Sequence, residues 1–385
     1  ILLVLARSEP DISDGRGLSL YLVERGPWVK VRRLEDKLGI HGSPTCELFF
    51  NDAPAKLIGE RQRGLITYVM SLMNGARIGI AGQSLGIAEA AFRVARDYAA
   101  TRKQFGVKIE KLPAVRDMLI DMKIATEAGR ALLYETSRIV DIHIGSEKRL
   151  ETNPPEDKDA LKELRNESKK NKRLAAMLTP MSKYYCSEMC NTIAYDAIQA
   201  LGGSGYMRDY ACERYARDAR ITTIYEGTSQ LQIVAAVRGV CSGTAEKYLT
   251  VLAGLDYDES LKDLLEIIGK GTEVMKECIG FVKEQGNEYM DLYGRPLVDI
   301  AMDLIIGYLF CGQASSKVDM QVPVAENAQA DIPKTISMNQ RKAMIARRFI
   351  TKNAPKIIAC AELIRTGDKS TFSEYESLVG PVPEL

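Results

Sequence analysis

Histidine is nearly missing from this chain. Only His41 and His143 occur among 385 residues, far apart in sequence and context. That gives little support to a Ser-His-Asp triad. Cysteine numbers eight, but no two form a Cys-x-x-Cys pair. Zinc and a disulfide framework are both disfavoured, and a reducing cytoplasm is the default expectation. Cys186 and Cys190 lie four apart on a helical pattern and read as one buried face. Net charge is also missing: 52 Lys plus Arg stand against 51 Asp plus Glu. No basic field marks the chain for nucleic acid. No apolar run approaches the length of a membrane span, and no signal-peptide pattern is present. At this length two or three domains with a sizeable core are expected. The chain starts Ile-Leu-Leu-Val-Leu-Ala-Arg, without Met, in what reads as the middle of a strand, and is expected to be a piece of a longer polypeptide.

What is present divides into a short β-rich start and a long helical remainder. Residues 1–6, 18–23, 29–32 and 46–50 read as strands, punctuated by Asp14-Gly15 and Arg25-Gly26-Pro27. Gly42-Ser43-Pro44-Thr45 reads as a plain turn. From Gly64 the pattern becomes helical. Residues 65–100 carry small residues at Gly75, Gly79, Gly82, Gly86 and Ala90. Four interior glycines disfavour a helix by about 4 kcal/mol relative to alanine. Close helix–helix approach, or a ligand lying on the bare backbone, would offset this, and close packing is the more general cause. A second helix is expected over 112–144. Residues 145–172 are highly charged, contain Pro154-Pro155, and read as an exposed loop with a short helix. A further helix over 174–201 ends in a glycine-rich terminus. This is no dinucleotide fingerprint, because it follows a helix and not a strand. Arg214, Arg217 and Arg220 then form a stripe expected to pair with Asp209, Glu213 and Asp218. Helical cores at 261–268, 274–287, 298–310 and 341–365 follow, with 318–335 as a link, and carry no chemical motif.

The chemically suggestive stretch is 217–232. The β-branched run Ile221-Thr222-Thr223-Ile224 interrupts helical propensity just before Tyr225, Glu226 and Gly227. A helical pattern resumes at Leu231. A carboxylate at such a break is either presented in a cleft or simply solvated, and local pattern alone leaves both open. Thr228 and Ser229 are candidates to cap the next helix. Arg102, in Thr-Arg-Lys-Gln-Phe-Gly at 101–106, is either a phosphate clamp or a basic helix terminus.

Taken together, five ordered motifs resemble the acyl-CoA dehydrogenase family. They are Leu-Glu-Asp-Lys-Leu-Gly-Ile-His-Gly-Ser-Pro-Thr-Cys-Glu at 34–47, Asn74 through Arg77, the 101–106 motif, Gln-Ala-Leu-Gly-Gly-Ser-Gly-Tyr at 199–206, and Ile-Tyr-Glu-Gly-Thr-Ser-Gln at 224–230. The resemblance covers roughly residues 1–243. The charged stretch and the C-terminal helices are similar to a longer prokaryotic subgroup, one member type of which acts on methylthiopropanoyl-CoA.

The resemblance implies a mainly α fold: the C-terminal part of a central β-domain (1–62), a four-helix bundle (63–243) and a C-terminal helical extension (244–385). The family's N-terminal helices and upstream strands would be missing. The implied activity is FAD-dependent α,β-dehydrogenation of an acyl-CoA thioester. Glu226 matches the catalytic base, and residues 71–82, where some relatives place that base, contain no Asp or Glu. Hydrogen bonds to the thioester oxygen, implied to come from the base's own N–H and a flavin hydroxyl, would stabilise the developing enolate. Arg102, Gln104 and Phe105 would bind the FAD. Gln199, Gly202 and Gly203 would line its adenosine–pyrophosphate end from a neighbouring subunit, and Thr228 and Gln230 would complete the site. Asn74, where relatives often carry Asp, and Arg77 would contact the CoA. Tyr225 and Gly227 would flank the thioester. An electron-transfer flavoprotein as acceptor and a homodimer or tetramer are implied, with no nucleic acid and no membrane span. An acyl-CoA oxidase and a non-catalytic helical assembly module are the alternatives.

Overall fold

The computed structural model describes residues 1–324 and 334–382. By internal contacts the chain forms two compact units, residues 1–123 with 185–228, and 124–184 with 229–385. The first unit opens with β1 (Leu2–Arg7), β2 (Leu18–Val23), β3 (Val29–Leu34), β4 (Cys46–Phe50) and β5 (Ala55–Ile58). β2 lies between β1 and β5, antiparallel to both, and β3 pairs with β4. β5 lies beyond the four strands expected. Its four residues, three of them exposed, are too short and too polar for a clear alternation.

A π-helical turn, Gly64–Val69, leads into α1 (Met70–Thr101). Ala81, Leu85, Ala88, Phe92, Ala95 and Ala99 are buried along α1 at spacings of three and four, which is the stripe that makes it a packed helix. At Gly64 a Cβ would fall 2.5 Å from the Ser19 carbonyl carbon and 2.7 Å from the Leu20 nitrogen. The helix entry therefore seats backbone on backbone against β2. The helix ends where Arg102 turns extended, into the two-residue strands β6 (Lys103–Gln104) and β7 (Val107–Lys108). At three of the α1 glycines the expected close packing is not found. A Cβ at Gly75, Gly79 or Gly86 would meet nothing within 4 Å.

Two long helices follow, α2 (Pro113–Thr152) and α3 (Lys158–Leu201). The charged stretch 145–172 is therefore not a loop with a short inserted helix. It is the end of α2 and the start of α3, and only residues 153–157, around the two prolines, break the helix. A charge-rich stretch with regular helix formers remains helical when its charges face water. Cys186 and Cys190 are both buried on α3, as their spacing predicted. The first unit closes with α4 (Gly203–Tyr206) and α5 (Cys212–Arg220).

The second unit contains α6 (Ser229–Cys241), α7 (Thr244–Ala253), α8 (Lys262–Gln285), α9 (Asn287–Leu292) and α10 (Gly294–Ala314). A hairpin of β8 (Gln321–Pro323) and β9 (Thr335–Ser337) precedes α11 (Met338–Arg365). The cores expected at 261–268 and 274–287 are mostly one helix, α8. Part of the expected link 318–335 lies outside the described residues. α10 is long and apolar enough to cross a membrane, against the expectation that no run approaches that length, but 72% of its apolar window is buried within the fold. It carries Asp299 and Asp303 and reads as a core helix.

Two stability outcomes follow from these placements. Gly64→Ala forces a methyl into backbone and lowers unfolding free energy by about 1–3 kcal/mol. Gly75→Ala, into open space on a helix, raises it by about 0.5–1 kcal/mol. Urea titration of both variants measures the pair. Burial, reinforced by the charge of Asp299 and opposed by Lys356, pushes the Asp303 carboxyl from 3.8 up to about 7. The folded protein holds that proton more tightly than the unfolded chain. Its stabilising contribution is thus fully present below pH 3.8 and is lost as pH rises through about 7. Asp303→Asn should flatten that fall in urea midpoints between pH 3.8 and about 7.

Candidate active site

The break at Tyr225–Gly227 is built by α5 and by one amide on α3. α5 stops at Arg220, and Ile221–Thr223 tighten into a 3-10 turn where the β-branched run begins. The Asn191 side-chain nitrogen donates to the carbonyl of Ser187 at 2.8 Å, one turn back on α3, and to the carbonyl of Ala219 at 3.0 Å. It also reaches Thr222 Oγ1 at 3.4 Å. The end of α5 is thereby pinned to α3. On its other side α5 holds the 34–47 loop. Asp218 Oδ1 accepts the N–H of Ile40 at 2.6 Å, and Arg217 donates to the Leu38 carbonyl at 3.1 Å. Of the expected arginine stripe, Arg217 pairs with Glu213 at 2.7 Å, while Arg220 binds Thr223. Asp218 serves the loop.

Beyond this anchor Glu226 adopts φ 54, in the left-handed region that a glutamate rarely occupies, and Gly227 follows at φ 91. Such a conformation costs about 1–3 kcal/mol and persists only where surroundings enforce it. Arg77 Nε donates to the Glu226 carbonyl at 3.4 Å, and Arg77 also binds Asn74 Oδ1 at 3.1 Å. Burial pulls the Arg77 guanidinium below its usual range, and the charge of Glu226 opposes this. The Tyr225 hydroxyl donates to Gln83 Oε1. Burial pushes that phenol up, with the Gln83 bond pulling the other way. Asn74, Arg77, Tyr225, Glu226 and Gly227 therefore come together as one cluster in the first unit. Gln83 and Asn191 belong to it and were not anticipated. Gln83 sits one helical turn beyond Gly79 on the same face of α1, which was the available signal. Asn191 had none, since an amide in a helix resembles any surface residue.

A second group lines a cavity of about 400 Å³ in the same unit: Arg102, Gln104, Gln199, Gly202 and Gly203, walled by Tyr98 and Ile109. Gly202 adopts φ 60, and a Cβ on either glycine would meet nothing within 4 Å. Tyr98 donates to Ser204 Oγ at 3.2 Å, and both are additions to the expected set. Phe105 is not part of the lining. It sits at the tip of the β6–β7 turn at φ 53, followed by Gly106 at φ 80, with 87% of its surface exposed. Two successive positive φ values form the tight turn that suits a two-residue hairpin. Thr228 ends the first unit, and Gln230 is exposed on the first turn of α6 in the second.

The family described as acyl-CoA dehydrogenase, C-terminal domain, matches residues 63–150 and 160–240, and that described as acyl-CoA dehydrogenase C terminal matches 241–334. The chain belongs to the acyl-CoA dehydrogenase family. The unmatched gap between the first two segments contains the short loop joining α2 and α3. Among relatives, this family member is 36% identical over 250 residues to an acyl-CoA dehydrogenase of Bacillus subtilis, covering 63% of this chain and 57% of that protein. It is 33% identical over 230 residues to the caffeyl-CoA reductase–Etf complex subunit CarC of Acetobacterium woodii, covering 58% of this chain and 53% of that one. The chain thus spans about half the length of these relatives. Caenorhabditis elegans ACDH-11, solved in complex with C11-CoA, is similar with a TM-score of 0.73 at 26% identity, over 91% of this chain and 56% of that one.

The strain at Glu226 is directly measurable. Glu226→Gly releases the left-handed penalty and leaves stability unchanged or raised by up to about 1 kcal/mol, whereas Glu226→Val lowers it by at least about 1 kcal/mol. Thermal unfolding of the two variants is the check.

Proposed function

We propose that the protein dehydrogenates the α,β carbon–carbon bond of an acyl-CoA thioester to the trans-2-enoyl-CoA, with Glu226 as base and FAD as cofactor. The observation that carries this reading is the left-handed backbone of Glu226, just beyond α5, with Arg77 on its carbonyl and Asn74 on Arg77. A thioester α-proton is weakly acidic. A carboxylate removes it only when positioned rigidly and when the developing enolate is stabilised. Asn191 and Arg77 supply the rigidity, one from each side of the break. Arg77 and Asn74 would meet the CoA portion, and Tyr225 and Gly227 would flank the thioester. No Asp or Glu occurs in residues 71–82, so α1 offers no competing base there.

FAD suits the cavity at the end of α3. A guanidinium and two carboxamides face a glycine backbone that a ligand can approach without meeting a Cβ. Arg102 and Gln104 would hold the pyrophosphate, as an Arg fork suits phosphate oxygens. Gln199, Gly202 and Gly203, which line the same cavity, would hold the adenosine–pyrophosphate end of an FAD shared with a neighbouring subunit of a homodimer or tetramer. Phe105 would lie beside the cofactor, which accounts for an aromatic ring left in water. Thr228 and Gln230 would complete the site. When bound, FAD supplies the acceptor for the hydrogen leaving the β-carbon. The division into 1–62, 63–243 and 244–385 belongs to the same proposal.

An acyl-CoA substrate agrees with the C11-CoA complex of ACDH-11, and an electron-transfer flavoprotein partner agrees with the name of the Acetobacterium relative. A second reading, reduction of an enoyl-CoA, is favoured by the reductases among the relatives, including one named acryloyl-CoA reductase (NADH) at 35% identity. The same Glu226 would then return the proton.

Glu226→Gln should lower anaerobic acyl-CoA turnover by roughly 10²–10⁴-fold while flavin absorbance is retained. Turnover within a few-fold of the parent would remove Glu226 as base. Arg102→Ala should release FAD on gel filtration, and unchanged flavin content would remove its role.

A further inference from the structure

A larger cavity, of about 720 Å³, lies within the second unit among α3, α6 and α7. Lys169, Lys170, Arg173, Arg238 and Lys247 line it, and none of its lining residues is an acid. Arg238 is met by Asp291 at 3.5 Å. The other four cations form no ion pair and no side-chain hydrogen bond among the described residues. Elsewhere on the same helices charges do find partners: Lys172 on α3 binds Glu147 at 3.2 Å, and Glu246 on α7 lies 3.9 Å from Lys276. Four unneutralised cations around one concavity repel each other, and a multiply charged anion would relieve that repulsion.

Two further features point the same way. The N-terminus of α7, a ten-residue helix, opens at this cavity through Ser242 and Thr244. Gly243, at its N-cap position, has no side chain with which to cap it, so the helix's positive end adds to the cationic field. The floor, by contrast, is apolar. Leu174, Met177 and Tyr248 are buried there, and Gly239 brings α6 onto α3, since a Cβ at that position would fall 2.7 Å from Met177 Cβ. The Tyr248 hydroxyl is engaged by Glu135, leaving its ring as wall.

We propose that this cavity binds a nucleoside di- or triphosphate, with the phosphates among Lys169, Lys170, Arg173 and Lys247 and the nucleoside on the apolar floor. Its volume is that of a small-molecule pocket. Its concavity suits a compact ligand better than a flat macromolecular surface. None of its residues is among those assigned above to FAD or acyl-CoA.

The test is calorimetric titration of the flavin-saturated protein with ATP, ADP, pyrophosphate, adenosine and CoA, at low and near-physiological salt. ATP or ADP should bind at both salt concentrations and at least tenfold more tightly than pyrophosphate or adenosine. Arg173→Ala and, separately, Lys170→Gln should each weaken ATP at least tenfold with flavin content unchanged. Both side chains are exposed, and circular dichroism verifies that the variants fold. Pyrophosphate binding as tightly as ATP, or ATP binding that vanishes at near-physiological salt, would reduce the site to a generic cationic patch and overturn the proposal. So would unchanged ATP affinity in both variants, or CoA binding here more tightly than either nucleotide. Altered gel-filtration size in the variants with no ATP binding in the parent would assign the cavity to a second copy of the chain instead.

Discussion

Asn191 makes the interaction on which the proposed active site rests. One side-chain nitrogen ties the carbonyl of Ala219, at the end of α5, to α3. α5 is nine residues long, too short to be stable alone, and takes its position from what it is pinned to. Everything downstream of that pin for eight residues is irregular: a 3-10 turn, a left-handed glutamate and a left-handed glycine. Without a fixed starting point such a run would sample many conformations. With it, Arg77 needs to hold only one more carbonyl to define where the Glu226 side chain begins. A hydrogen bond of this kind contributes about 1 kcal/mol in isolation. Its weight here comes from how many later dihedrals depend on it.

The same unit applies two other uses of backbone geometry. At Gly64 the chain is so close to β2 that a side chain is excluded, and this seats the start of α1 on the sheet. Along α1, a Cβ at Gly75, Gly79 or Gly86 would meet nothing within 4 Å, so close packing does not account for these three. Their bare face also carries Gln83, one turn beyond Gly79 and bound to Tyr225 at the pinned break. A helix stripped of side chains along one face, next to a strained carboxylate, suits a ligand that runs along backbone.

The second unit works by different physics. Its core helices bury long apolar faces, and α10 is apolar enough to resemble a membrane span while lying mostly inside the protein. Against that background its few polar features stand out. Asp303 is held protonated well above the ordinary carboxylate range because the helices around it exclude water. The cations around the α3–α6–α7 cavity lie at its rim, where water still solvates them. Asp303 is thus met by a proton, Glu127 by Lys342 at 2.8 Å, and exposed charges such as Lys172 by ion-pair partners such as Glu147.

Much of this was legible in residues alone. The strand positions 18–23 and 46–50, the helix interruption at Ile221–Thr223 and the Glu226 break all follow from local rules, because β-branching, glycine and short polar turns act over a few residues. The family motifs were legible for the same reason. Four features were not. The charged stretch 145–172 looked like a loop because charge and proline were read together, whereas only the prolines break the helix and the charges simply face water. The glycines of α1 looked like a packing surface because spacing cannot reveal whether a partner exists. Asn191 and the cation-lined cavity carried no pattern, since each depends on residues brought together from 28 or more positions apart. Sequence determined where the chain bends and which groups can do chemistry. Tertiary structure alone decided which of those groups meet, because proximity across long chain separations is set by how whole helices pack.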